Sequence, residues 1–267
     1  MAPGSKGARV VKGRKKKSVR SKLPAVALLA SVLLIWEFGL RAANVEPFIF
    51  PTPTAVADSL VHNASELADH AAVTGWEIVL GFTIAAIAGV LIALALHLSR
   101  PLKDAAYPLL VASQAIPLVV ISPVLVLLMG FGIGPKLVIV ALTCFFPVVV
   151  TTLDGLASTD PTMRQMMTTL YGNRWDILWR VEIPSALPSF FTGLRIGATY
   201  CAIGAIVAEW SGATAGLGFF IQQRASSLDT PDVIAAIVVI CLITFVLLGV
   251  LTWIERRTIP WAHRGKR

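Results

Sequence analysis

Six apolar runs, each long enough to cross a lipid bilayer, leave this chain little choice of fold. They occupy residues 23–40, 73–98, 107–129, 137–153, 187–208 and 233–254. A helix rising about 1.5 Å per residue covers a hydrocarbon core of about 30 Å with roughly twenty residues, allowing for tilt and imprecise ends. No water reaches that core, so each backbone amide must be satisfied within its own segment, and an α-helix does this. The sequence therefore predicts an all-α integral membrane protein with six transmembrane helices. Composition agrees: 56% of the 267 residues are hydrophobic and 14% are charged, with a mean hydropathy of +0.76, where soluble domains carry about 25% charged residues.

The net charge of +8 raises the question of nucleic acid, and its distribution answers it. Nine of the 23 Lys and Arg residues fall between Lys6 and Lys22 with no acid among them. This is the pattern of a positive-inside anchor touching anionic membrane lipid, and no nucleic-acid partner is expected. The run at 23–40 is too long for the apolar part of a signal peptide and no small-x-small site follows it, so it reads as an uncleaved first span. With the N-terminus inside, nineteen basic residues lie on the inner side against three (Arg41, Lys136, Arg224) outside, with Arg195 near the inner end of span five and able to snorkel. The expected topology in the plasma (inner) membrane has both termini cytoplasmic.

Chemistry-bearing clusters are scarce. Cys144, Cys201 and Cys241 sit far apart within apolar runs and read as small buried hydrophobes. His62, His70, His97 and His263 form no metal-ligand spacing, so no metal and no cofactor is expected. There is no phosphate-binding G-x-x-x-x-G-K-[ST] loop, no nucleophile elbow and no paired-carboxylate site. The chain is not expected to be an enzyme or to hydrolyse ATP.

The spans are irregular. The third carries Pro108, Pro117 and Pro123 with Ser113, Gln114 and Ser122 among them; the fourth has Thr143 and Pro147; the fifth has Gly193, Gly197, Tyr200 and Gly204. Small residues permit close helix packing, and broken backbone at membrane depth is tolerated where protein or a watery cavity covers it. Both readings stand here: packing, or a translocation path drawing on Ser113, Gln114, Ser122, Thr143, Tyr200 and Glu209. Glu209, at the outer end of span five, is either a gate or partner contact or a headgroup-level residue beside Trp210. Glu37 and Glu77 read as ordinary polar residues near the outer surface. Between spans one and two, Thr54 can cap a short surface helix after Pro51 and Pro53.

The segment between spans four and five is polar and long. After Asp160-Pro161, Met163, Met166, Met167 and Leu170 recur at helical spacing, which predicts a short amphipathic helix over 163–170. Such a helix can lay its apolar face into a groove on a partner; the alternative is a helix that covers the end of the bundle.

In order and spacing this segment resembles the coupling loop of ABC-importer permeases of the binding-protein-dependent family. Gln165-Met166-Met167 stands where that family has Glu-Ala-Ala, Tyr171 stands at its glycine with Gly172 one place later, and Trp175, Val181, Ile183 and Pro184 fall in register. Pro184-Ser185-Ala186-Leu187-Pro188 and Gly193-Leu194-Arg195 match well. Further along the chain the resemblance takes in Pro51-Thr52-Pro53-Thr54, Gln114-Ala115-Ile116-Pro117, Ser122-Pro123, Gly130 to Lys136, Ala208-Glu209-Trp210 and Gly216-Leu217-Gly218-Phe219. It covers about residues 47–262, in the branch that handles nitrate, taurine, alkanesulfonates and aromatic heterocycles, with its nearest likeness to permeases for hydroxymethylpyrimidine.

The resemblance implies a type I ABC-importer permease fold, acting as a homodimer with two ABC ATPase subunits and an extracytoplasmic solute-binding protein. It implies a basic cytoplasmic tail (1–22), a permease domain (23–262) with its coupling loop at 154–186, and a cytoplasmic end (263–267). Motor docking then falls to Gln165, Met166, Met167, Tyr171, Gly172 and Trp175. The rival from another class is an ATPase-independent secondary transporter or channel. It would want an acid deep in a span or inverted repeats, and the sequence displays neither.

Overall fold

The computed structural model of the protein describes residues 23–261. The basic tail, His263 and the C-terminal end lie outside them. Among the described residues helix is the only regular structure, in the order α1 (Leu23–Ala42), α2 (Pro53–His62), α3 (Ala64–Leu98), α4 (Arg100–Ser113), α5 (Leu118–Met129), α6 (Ile133–Ala157), α7 (Pro161–Tyr171), α8 (Arg174–Ile177), a π-helical segment Leu178–Glu182, α9 (Ile183–Trp210), α10 (Leu217–Ser226) and α11 (Thr230–Thr258). Four of these segments meet the length and hydropathy of a span without help: α3, α6, the run from α8 through α9, and α11. The α4–α5 pair makes a fifth only when taken together. The 20-residue α1 covers the first apolar run and is exposed along most of its length.

The third predicted span is not one rod. Its two halves meet at 98°, across Gln114 to Pro117. Pro117 has no N–H to donate and holds an extended conformation (ψ 124°). The residues before it close tight turns instead, Gln114 N to Val111 O at 3.1 Å and Ala115 N to Ala112 O at 3.1 Å. A second correction concerns the surface helix. Thr52, not Thr54, caps α2 by accepting from Ala55 N, and Pro53 fills the first turn where no donor is needed.

The core is a three-helix seam in which α6 lies between α3 and α9. Ile78, Phe82 and Ala85 of α3 meet Val140, Cys144 and Val148 of α6, and these meet Phe191, Leu194, Ala198, Cys201 and Ala205 of α9. Missing side chains make the approach possible. A Cβ on Gly193 would fall on the Thr151 hydroxyl, and one on Gly197 or Gly204 would press on Cys144 O or Thr143. The glycines of span five therefore pack the bundle. Cys144 and Cys201 are buried as expected, whereas Cys241 is exposed on α11. Arg195 does not snorkel freely; it pairs with the buried Glu255 of α11.

Candidate functional site

The two ends of the bundle carry different chemistry. At one end, α7 forms because its punctuation is complete. Asp160 accepts from Thr162 N at 2.8 Å, Pro161 occupies the first turn, and Gly172 ends the helix in the left-handed region (φ 64°), its N–H on Thr168 O at 3.0 Å. Nothing stands within 4 Å of a Cβ built on Gly172, so backbone conformation, not space, calls for glycine there. Asn173 then caps α8, accepting from Trp175 N at 3.1 Å.

Met163, Met166 and Leu170 are exposed on one face of α7, with Met166 63% accessible, and Trp175 and Trp179 stand exposed just beyond. Gln165 and Gly172 are also exposed and Met167 is half-buried; the side chain of Tyr171 lies outside what the structure describes. The helix contains no acid, and its one cation, Arg164, is partly exposed and reaches back to the bundle. Arg164 lies 2.6 Å from a carboxylate oxygen of Glu182, whose other oxygen bonds His97 Nε2 at 2.8 Å. Arg174 donates to Leu98 O at 2.7 Å. His97, Arg164, Thr168, Gly172, Arg174, Ile177 and Glu182 line a cavity of about 410 Å³ behind the helix.

The opposite end is locked. Glu209 is 1% exposed. Its carboxylate accepts from Thr74 Oγ1 at 2.6 Å, from Gly218 N, and from Phe219 N at 3.3 Å. Thr74 in turn accepts from Leu217 N at 2.7 Å, and His70 Nδ1 accepts from Gly216 N at 3.0 Å. The free amides at the start of α10 are thus satisfied by α3 and α9, and a carboxylate there opposes the helix dipole favourably. Gly216 and Gly218 are required by proximity, since a Cβ on either would strike the Glu209 carboxylate. Nearby, Lys136 of α6 pairs with Glu77 of α3 at 2.7 Å, and Asp232 of α11 accepts from Ser59 at 2.5 Å and Asn63 at 2.8 Å. Glu77 and Glu37 are not surface residues: both are buried, Glu37 against Thr54 and Arg41.

The six candidate path residues are dispersed. Ser113 and Gln114 are exposed at the α4–α5 break, and Tyr200 is exposed on α9. Ser122 is buried, donating to Val207 O and lying 2.6 Å from Ser211 Oγ. Thr143 donates to Ile139 O and packs against Gly204. None of the six lines the cavity behind α7 or the apolar groove between α3 and α6. Glu182 and His97 escaped sequence reasoning because 85 positions separate them. The available signal was one acid amid apolar neighbours, Val181-Glu182-Ile183.

Comparison with known proteins agrees with this architecture. A crystal structure of an amino acid ABC transporter with histidines shares the fold, with a TM-score of 0.60 over 74% of this chain and 97% of that one, at 21% identity. The formylaminopyrimidine transport permease protein ThiX of Halalkalibacterium halodurans is 33% identical over 93% of this chain and 99% of its own length. The riboflavin transport system permease protein RibX of Chloroflexus aurantiacus is 32% identical, covering 91% and 92%. The taurine transport system permease protein TauC of Escherichia coli is 30% identical, covering 89% of each. Residues 81–260 match the family described as binding-protein-dependent transport system inner membrane component. The chain belongs to that family and is a multi-pass permease subunit of an ABC importer.

Proposed function

We propose that the chain forms the membrane path for a small organic solute, with α7 as the cytoplasmic dock for an ABC ATPase. A solute-binding protein delivers cargo at the α10 end. The observation that carries this reading is the face of α7: Met163, Met166 and Leu170 exposed beside Trp175 and Trp179 on a capped helix anchored from behind. Methionines make an adaptable apolar surface, and a short helix presenting one fits a groove on a partner. With α7 inside, both termini are cytoplasmic, in accord with the basic residues at each end of the sequence.

The α4–α5 break supports a homodimer. Polar side chains at membrane depth are costly against lipid, yet Ser113 and Gln114 are exposed there, and Leu127 of α5 is 85% accessible. A second copy facing the break encloses a path between the two. Relatives named for formylaminopyrimidine, riboflavin and taurine transport support a small organic solute as cargo, with an aromatic heterocycle such as hydroxymethylpyrimidine the first to test. ATP-driven closure of the motors moves α7 and switches the cavity, and transport requires the solute to bind the two states differently.

The test is uptake into proteoliposomes holding the permease with its ATPase and binding protein. ATP-dependent accumulation of a pyrimidine that stops when the binding protein is omitted supports the reading. Uptake that ignores ATP contradicts it.

A further inference from the structure

We infer that Glu182 is a positioning residue that transmits movement of α7 to the spanning helices, a role that rests on α7 being the motor dock. Glu182 is 7% exposed and its carboxylate binds on both oxygens, to Arg164 of α7 at 2.6 Å and to His97 in the last turn of α3 at 2.8 Å. One side chain therefore joins the dock, the end of α3 and the base of α9. Arg164 has Glu182 as its ion-pair partner among the described residues, so a displacement of α7 pulls on this carboxylate. Charge-assisted bonds on both sides resist that pull, and the Glu182 end of both bonds is nearly closed to water.

The backbone around Glu182 fits the role. It closes the π-helical segment Leu178–Glu182, set between α8 and α9 in what is otherwise one long helix. Such wide turns recur at functional sites and change the direction in which following side chains project. Here the turn coincides with the residue that reaches both α7 and α3. The cavity of about 410 Å³ on the same residues leaves space for the Arg164 guanidinium to swing as α7 changes position. The connection is therefore firm at Glu182 and free to move around it.

The experiment uses the full chain reconstituted with its ATPase and binding protein, and reads solute taken up per ATP hydrolysed. Glu182→Gln keeps the shape and the bond to His97 but loses the ion pair with Arg164. Arg164→Met removes the same pair from the exposed side, and it preserves the test if the Gln variant folds poorly. Each is expected to hold the ATPase and melt close to wild type while uptake per ATP falls about tenfold, the scale of one lost charged hydrogen bond. The double variant should be no worse than either single one, since both act on one contact. Unchanged uptake per ATP in both single variants overturns the role of Glu182. So does a fall in yield and melting temperature with the ratio intact, which marks a purely structural contact. If the wild-type chain itself fails to hold an ATPase, the docking reading falls, and this inference with it.

Discussion

Both ends of the bundle bury a glutamate, yet Glu209 and Glu182 are buried for opposite purposes. Glu209 is enclosed by a threonine of α3 and backbone amides of α10, and glycines press against it with no room for a methyl group. Glu182 is held by two side chains from separate helices, with a cavity beside it. The first arrangement fixes α10 to α3 and α9 as one block. The second permits α7 to shift while keeping it attached. A permease driven by an external motor needs both: a stiff transport body and an attachment that moves without letting go.

Substitutions at the two ends should therefore separate stability from coupling. The largest loss of stability is expected for Glu209→Ala, which orphans the Thr74 hydroxyl and the amides of Gly218 and Phe219 in a buried site. At about 1–3 kcal/mol for each unmade bond, little folded protein should survive detergent extraction. Next comes Gly193→Ala in the α6–α9 seam, where the new methyl meets Thr151 and sits 3.0 Å from Pro147 O. Overpacking of this kind costs about 1–3 kcal/mol, visible as a lower melting midpoint.

At the α7 end the stability effects should shrink while function suffers. Gly172→Val places a branched residue at φ 64°, a local penalty of about 1–2 kcal/mol. The last turn of α7 should fray, the body should melt as before, and ATP hydrolysis should run without matched uptake. Met166→Asp changes an exposed position, so stability should move by no more than about 0.5 kcal/mol. The ATPase should nevertheless dissociate during purification. Melting curves, co-purification and uptake per ATP hydrolysed on the same four variants check the whole series. Unfolding by Met166→Asp, or a harmless Glu209→Ala, would erase the contrast between the ends.

What the sequence made legible was local. Spans follow from runs of apolar residues, and α7 was readable because Asp160, Pro161 and the Met163–Met166–Leu170 spacing lie within one stretch. The Gln114–Pro117 interruption was visible as prolines and polar residues, but the 98° turn depends on how α5 packs against α6 and α9. The role of Glu209 was hidden because its partners are backbone amides presented by tertiary structure. The glycines at 216 and 218, nine residues or fewer from it, were the trace in the sequence. Glu182 was not legible, since its partner His97 comes from another span.

The central claim is that α7 is the motor dock, and the most direct test is co-purification from mild detergent of wild-type chain beside Met166→Asp. The account predicts that the wild type brings an ABC ATPase with it, and that Met166→Asp, equally folded by melting and gel filtration, comes without it. Equal recovery of the ATPase with both chains, or a wild-type chain that purifies alone and moves solute without ATP, would contradict it.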